Sequence, residues 1–234
     1  MNNSMQFWAA IHQNLPELAE PIAVTFRDAP PSHLQRTEKP APAGCSYWRH
    51  AAKGRSFYTV AADHENCPVG AYTHGVELST EVHAQLGQTI TRLVGMRYIK
   101  ADEVASIPHR TEPLRFVVYS PLSEADGTPD VVLVHGNARQ VMLLAEAATA
   151  CGAMASFQAM GRPACAIVAA TMATGKVTTS LGCIGNRVYT GLPDDEFYIA
   201  VPGTVLPELA AALGTIGHAN VELEKMHRAK CAAA

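Results

Sequence analysis

Hydrophobic and polar positions along this chain predict strands and helices mixed throughout its length. Apolar runs of strand length occur at 21–26, 114–122 and 130–135. Apolar residues at helical spacing predict an amphipathic helix at 78–94 and a buried one at 164–175. Weaker patterns predict further helices and strands at 5–19, 46–52, 56–61, 177–183, 197–202 and 204–230, and a proline-rich loop at 28–44.

The clearest single unit is a strand, turn and helix at 130–152. The run DVVLVH predicts the strand, Gly136 and Asn137 the turn, and ARQVMLLAEAATACG the helix. Asn137 suits the N-cap of this helix and Gly152 suits its end. Because a strand followed at once by a helix favours parallel pairing, we predict an α/β or α+β fold. Its architecture is expected to be a single mixed-sheet domain with flanking helices.

Size and charge exclude several classes of protein. A chain of 234 residues buries about three-quarters of its unfolded surface, so it needs no disulfide or metal in order to fold. Its net charge of -3 argues against nucleic acid as a partner. No apolar run approaches the roughly 20 residues of a membrane helix, and the N-terminus does not resemble a signal peptide. We expect a soluble cytoplasmic protein.

Four of the six cysteines share a local context. Cys45, Cys67, Cys165 and Cys183 each have a glycine or proline within three residues, which suits close approach of the backbone to a metal. Cys-x-x-Cys spacing is absent, however, and spacing alone favours buried cysteines over a nucleophile or metal ligands. The other two, Cys151 and Cys231, are interpreted as incidental.

Three segments resemble the uncharacterised ArCR family, also called domain of unknown function 169. They lie at 45–76, 129–147 and 180–203. Their most specific motifs are Cys-Pro-x-Gly-Ala at 67–71, Pro-Asp-Val-Val at 129–132 and Gly-Cys-x-Gly-Asn-Arg at 182–187. The resemblance implies an N-terminal helical segment at 1–20 and a single ArCR-like domain at 21–234.

The resemblance also implies that Cys45, Cys67, Cys165 and Cys183 act as a ligand set. Such a set resembles that of a [4Fe–4S] cluster, with zinc as the alternative. We therefore expect an iron–sulfur protein that acts on a small anionic molecule or in redox chemistry, as a lyase or oxidoreductase. The alternatives are a non-catalytic electron-transfer, carrier or sensor protein with a redox partner, and a metal-free small-molecule binding module with core cysteines.

Basic residues next to these cysteines are candidates for the chemistry. Arg49 and His50 follow Cys45, His64 precedes Cys67 by three residues, and Arg187 follows Cys183 by four. We predict that His50 or His64, with Arg49 or Arg187, binds an anionic substrate or supplies its proton. The alternative is ordinary surface charge, and for Arg187 a salt bridge to the acidic run at 194–196.

A second, weaker candidate lies at the end of the predicted strand at 130–135. Ligands bind at the carboxyl ends of strands in open α/β sheets, which draws attention to His135 and Asn137. The segment lacks a glycine-rich nucleotide fingerprint. It therefore indicates a place to look for a ligand rather than a particular ligand.

Overall fold

The architecture is known from a computed structural model that describes residues 2–112, 115–160 and 162–232. Within these residues one sheet contains seven strands, in the order β2-β3-β1-β4-β7-β6-β5. All neighbouring strands are antiparallel except β5 and β6, which are parallel. The strands are β1 (Ile22–Arg27), β2 (Phe57–Thr59), β3 (Phe116–Pro121), β4 (Val131–Asn137), β5 (Met154–Met160), β6 (Val177–Ser180) and β7 (Glu196–Pro202).

Helices cover both faces of this sheet. In the described part of the chain they are α1 (Asn3–Asn14), α2 (Ser46–Ala52), α3 (Pro68–His74), α4 (Thr80–Gly95), α5 (Ala101–Val104), α6 (Ala138–Ala150), α7 (Ala166–Thr174), α8 (Ile184–Thr190) and α9 (Leu206–Ala232). None of the described helices is long and apolar enough to cross a membrane.

Side chains of the central strands divide between two hydrophobic cores. In β4, Val131 and Leu133 belong to one core, and Val132 and Val134 belong to the other. This division follows from the two-residue period of a strand, and it explains why β4 is continuously apolar. The first core, which we call the cysteine face, contains residues of α2, α3 and α7. The second contains residues of α1, α6 and α9.

The fold is α+β and its sheet contains one parallel pair of strands, as the mixed pattern predicted. The parallel neighbours are β5 and β6, which α7 connects. Strand β4 of the 130–152 unit is antiparallel to both of its neighbours, β1 and β7. The predicted turn at Gly136 and Asn137 is wrong, because β4 continues through both residues before Asn137 caps α6.

The N-terminal helix and the long loop both make contacts with the rest of the domain. Helix α1 packs against α9 and buries Phe7 and Ile11 in the second core. The loop at 28–44 contains no helix or strand longer than an isolated bridge from Arg36 to Tyr58. Arg36 also donates to the buried carboxylate of Asp63 at 2.8 Å, which fixes the middle of the loop.

Close backbone approach at Gly203 gives a test of the packing between β4 and β7. A Cβ atom there would lie 1.7 Å from the carbonyl oxygen of Pro129, so the backbone would have to move. We expect Gly203→Ala to lower the free energy of unfolding by about 3 kcal/mol or more. Gly214 in α9 is the control, since its Cβ would meet nothing within 4 Å. Gly214→Ala should raise stability by about 1 kcal/mol through helix propensity. Urea unfolding of both variants measures this, and equal effects would contradict the packing.

Candidate functional site

Four cysteines occupy the same local position in the fold. Each is the residue immediately before a helix: Cys45 precedes α2, Cys67 precedes α3, Cys165 precedes α7 and Cys183 precedes α8. The remaining two differ. Cys151 follows the end of α6, and Cys231 is exposed in α9. The structure therefore separates the same four cysteines that the sequence context and the family resemblance singled out.

These four positions form two similar units. In each, a cysteine begins a helix, a strand follows, and a second cysteine begins a seven-residue helix that ends at a left-handed glycine. The glycines are Gly75 (φ 69°) and Gly191 (φ 66°), each eight residues after its cysteine. In the sequence only the spacing Cys-x7-Gly marks this repetition, which is why sequence analysis missed it.

The glycines near these cysteines permit close contact between the first two segments. A Cβ atom on Gly70 would lie 2.9 Å from Sγ of Cys67 and 3.8 Å from Cα of Gly44, the residue before Cys45. Any larger residue at position 70 would displace the thiol of Cys67. Gly70 therefore allows α3 to approach the start of α2.

Three of the four thiols belong to the cysteine face or pack against it, namely those of Cys45, Cys165 and Cys67, and Cys183 precedes α8, which contacts α2. Burial raises the pKa of Cys45 to about 12, and negative charge on Cys67 and Cys183 adds to this shift. Burial raises the pKa of Cys165 well above its usual value, with further contributions from Cys67, Cys45 and Cys183. Without a bound metal, the Cys45 and Cys165 thiols are therefore protonated.

Buried polar atoms without hydrogen-bond partners surround these thiols. Within the described residues they include Oη of Tyr119, Nδ1 of His64 and both side-chain amide atoms of Asn186. Tyr119 is within electrostatic range of Cys165, Cys45 and Cys67, and the backbone N–H of Asn186 donates to Sγ of Cys183 at 3.4 Å. Because buried polar atoms in native proteins almost always have partners, this concentration fits a site that accepts a polar or metallic group.

Two buried histidines lie beside this region and are neutral. Nε2 of His64 is 2.9 Å from the Thr59 hydroxyl, and Nδ1 of His74 is 2.9 Å from the Gly70 carbonyl oxygen. Burial lowers the pKa of His64 to about 3, and the charge of His74 adds to this effect. Burial likewise lowers the pKa of His74 to about 4. The burial of His74 depends on tertiary packing, so the sequence does not reveal it.

The four thiols are not arranged as an assembled metal site. In the part of the chain that the structure describes, no three histidine, cysteine or acidic side chains are close enough to hold a metal ion as they stand. Metal binding at this site would therefore require the four thiols to move toward one another.

The side chains of the other three predicted site residues, Arg187, His50 and Arg49, have different surroundings. Arg187 donates to the backbone carbonyls of Leu181, Pro193 and Glu196 at 2.7, 2.7 and 3.1 Å, rather than to a carboxylate of the acidic run. His50 lies near Arg55, and its pKa is lowered by burial and then by neighbouring cations. Arg49 is exposed beside a cavity described below. The backbones of His64 and Arg187 adjoin the cysteines, because the N–H of Cys67 donates to the His64 carbonyl oxygen and the N–H of Arg187 donates to that of Cys183. The roles of all four proposed catalytic residues remain predictions.

The fold and site define an α+β protein with four cysteines at helix starts on one face of its sheet. The family model described as uncharacterised ArCR matches residues 14–212, so the chain belongs to that family. It is similar to an uncharacterised protein of Methanocaldococcus jannaschii, with 27% identity over 175 residues that cover 72% of this chain and 75% of the relative. No solved structure matches it significantly.

Thiol reactivity tests the burial of the site in the metal-free protein. We expect iodoacetamide at pH 8 to modify Cys231 rapidly, while Cys45 and Cys165 react only on unfolding. The reason is that the reactive thiolate is scarce where burial raises the pKa, and access is also limited. Mass spectrometry of the digested protein measures each site. Modification of Cys45 as fast as Cys231 would contradict the structure.

Acid sensitivity tests the two buried histidines. In the unfolded chain they take up protons near pH 6.5, whereas the folded protein resists this until about pH 4 for His74 and pH 3 for His64. Stability should therefore fall as the pH falls below 6.5, by up to roughly 1.4 kcal/mol per pH unit for each histidine. His74→Asn keeps a donor near the Nδ1 position and should reduce this slope in urea unfolding. His218→Gln, at an exposed position of α9, should not change it; equal slopes in all three proteins would refute the assignment.

Proposed function

We propose that this protein binds an iron–sulfur cluster of the [4Fe–4S] type through Cys45, Cys67, Cys165 and Cys183. We further propose that the centre acts on a small anionic molecule or in redox chemistry. The observation that carries the proposal is that these four cysteines, and neither of the other two, immediately precede helices, and that Cys45, Cys165 and Cys67 meet on the cysteine face.

The chemistry of the donors favours this metal centre. Four thiolates suit an iron–sulfur cluster or zinc, and Cys–metal bonds replace the protons that burial retains on Cys45 and Cys165. Structural zinc more often joins ligands that lie close in sequence, whereas Cys45 and Cys183 are far apart along this chain. Iron–sulfur ligation is therefore the stronger interpretation.

The chain's own residues supply the surroundings that such a centre needs. The Asn186 backbone N–H already donates to Sγ of Cys183, and its buried side-chain amide lies near Cys45. The Tyr119 hydroxyl is a second buried donor, and it is close enough to the thiols of Cys165, Cys45 and Cys67 to interact with them electrostatically. Hydrogen bonds of this kind to sulfur tune the reduction potential of a cluster. When bound, the cluster would supply a Lewis acid or a one-electron centre.

One structural observation favours the metal-free alternative. Cys45 and Cys165 both belong to the hydrophobic core of the cysteine face, where a thiol can act simply as a small apolar group. On this alternative the protein is a small-molecule binding module with core cysteines. A non-catalytic electron-transfer, carrier or sensor protein would keep the cluster but lack a ligand pocket beside it.

Anaerobic reconstitution distinguishes these functions. We expect the wild-type protein to bind about four iron and four sulfide ions per chain and to absorb visible light. Cys67→Ala and Cys183→Ala should lose most of this iron. Cys151→Ala is a control at a similarly half-buried cysteine and should retain it. Circular dichroism confirms that each variant is folded.

The outcomes that contradict the proposal are equally specific. A colourless wild-type protein that contains neither iron nor zinc would favour the metal-free module. One zinc ion per chain, with no iron after reconstitution, would show that the site binds zinc rather than an iron–sulfur cluster. Equal iron loss in Cys151→Ala and Cys183→Ala would show that loading does not depend on the predicted ligands.

A further inference from the structure

A small cavity lies beside the cysteine face, against the outer part of α2. It has a volume of about 170 Å³, well below the roughly 300 Å³ at which sites for drug-sized ligands begin. Residues from α2, β4, β7 and the segment after α8 line it, among them Trp48, Arg49, Lys53, His135, Leu192 and Tyr198. Its size suits a ligand of only a few non-hydrogen atoms.

The charged side chains that line this cavity are all positive. Arg49 and Lys53 line it, and no acidic side chain of the described residues does. Neither cation forms an ion pair with another described residue, whereas nearby Arg55 lies 4.0 Å from Glu38. Two cations without counter-charges favour an anion at the mouth of the cavity.

The walls add apolar surface. Ile22, Ala52 and Leu192 line the cavity together with the rings of Trp48 and Tyr198. Trp48 is almost wholly buried, so its ring is held in a fixed position. A ligand with a short apolar part would contact these walls.

His135 contributes a ring whose position is fixed. Its Nδ1 lies 2.7 Å from a carboxylate oxygen of Glu196, a residue of the neighbouring strand β7 that is paired with Asn137. A carboxylate partner fixes the orientation of an imidazole and leaves Nε2 as the nitrogen available to a ligand. The ring also packs edge-on against Tyr198, 5.8 Å between centroids.

We propose that this cavity binds a small organic carboxylate. Arg49 and Lys53 hold its carboxylate group, Trp48 and Tyr198 contact its short apolar part, and Nε2 of His135 is the hydrogen-bonding group beside it. The proposal deepens the small-anion part of the proposed function and rests on that part alone. It does not require a cluster, although Tyr198 lines the cavity and is also near Cys45.

Calorimetric titration of the iron-free protein tests the proposal with propionate as the probe. We expect saturable binding of propionate and none of propionamide, which has the same shape without the charge. Arg49→Met and Lys53→Met should each weaken binding about tenfold or more, because each removes a charged hydrogen-bonding group. Arg55→Met is the matched control on the same segment and should bind within twofold of the wild type.

A nuclear magnetic resonance measurement on the wild-type protein tests the same proposal without depending on whether the variants fold. Propionate should shift the imidazole ¹⁵N signals of His135 in the wild-type protein and leave those of exposed His218 unchanged. Absence of propionate binding, equal binding of propionamide, or equal weakening in Arg49→Met and Arg55→Met would overturn the proposal. Binding of inorganic phosphate without propionate would overturn the carboxylate assignment. The titration is then repeated with iron-loaded protein. Propionate binding without iron loading would contradict only the cluster, and iron loading without propionate binding would contradict only the cavity.

Discussion

The central strands of the sheet are buried on both faces, and this constraint determines where polar chemistry can be placed. Along β4, successive valine and leucine side chains enter opposite cores, so the strand interior has no room for ligating groups. Reactive side chains are left to positions where strands end or helices begin. The four cysteines occupy such helix starts, and His135 lies near the end of β4.

Helix α2 connects the two candidate sites. Its preceding residue, Cys45, faces the buried thiol region, while Trp48, Arg49 and Lys53 lie along the helix and its end at the cavity. Tyr198 borders both, because it lines the cavity and is within electrostatic range of Cys45.

The sequence predicts the elements with strong periodicity and misses those that depend on tertiary packing. Strand β4, helix α4 with its Ser79 cap and helix α6 with its Asn137 cap follow from local pattern. Helices α3 and α8 are too short for periodicity to reveal them. The neighbours of β4 could not be predicted, because the antiparallel partner β7 comes from a distant part of the chain.

The candidate site shows the same division. The family resemblance selected four cysteines from six; glycine context alone does not, because Gly152 follows Cys151 directly. Arg187 illustrates what local reasoning cannot supply. Its three carbonyl acceptors come together only when the segment from Leu181 to Glu196 folds around it. The role of His135 likewise depends on Glu196, whose carboxylate contacts it from the neighbouring strand β7, where Glu196 itself is paired with Asn137.

The central claim is that four helix-start thiols form one metal centre, and anomalous X-ray diffraction at the iron edge tests it most directly. Crystals of anaerobically reconstituted protein should show one compact anomalous peak on the cysteine face. Sγ atoms of Cys45, Cys67, Cys165 and Cys183 should all lie within bonding distance of it, about 2.3 Å from metal to sulfur. Iron peaks located at other residues, or a protein with all four sulfurs remote from any metal, would contradict the account.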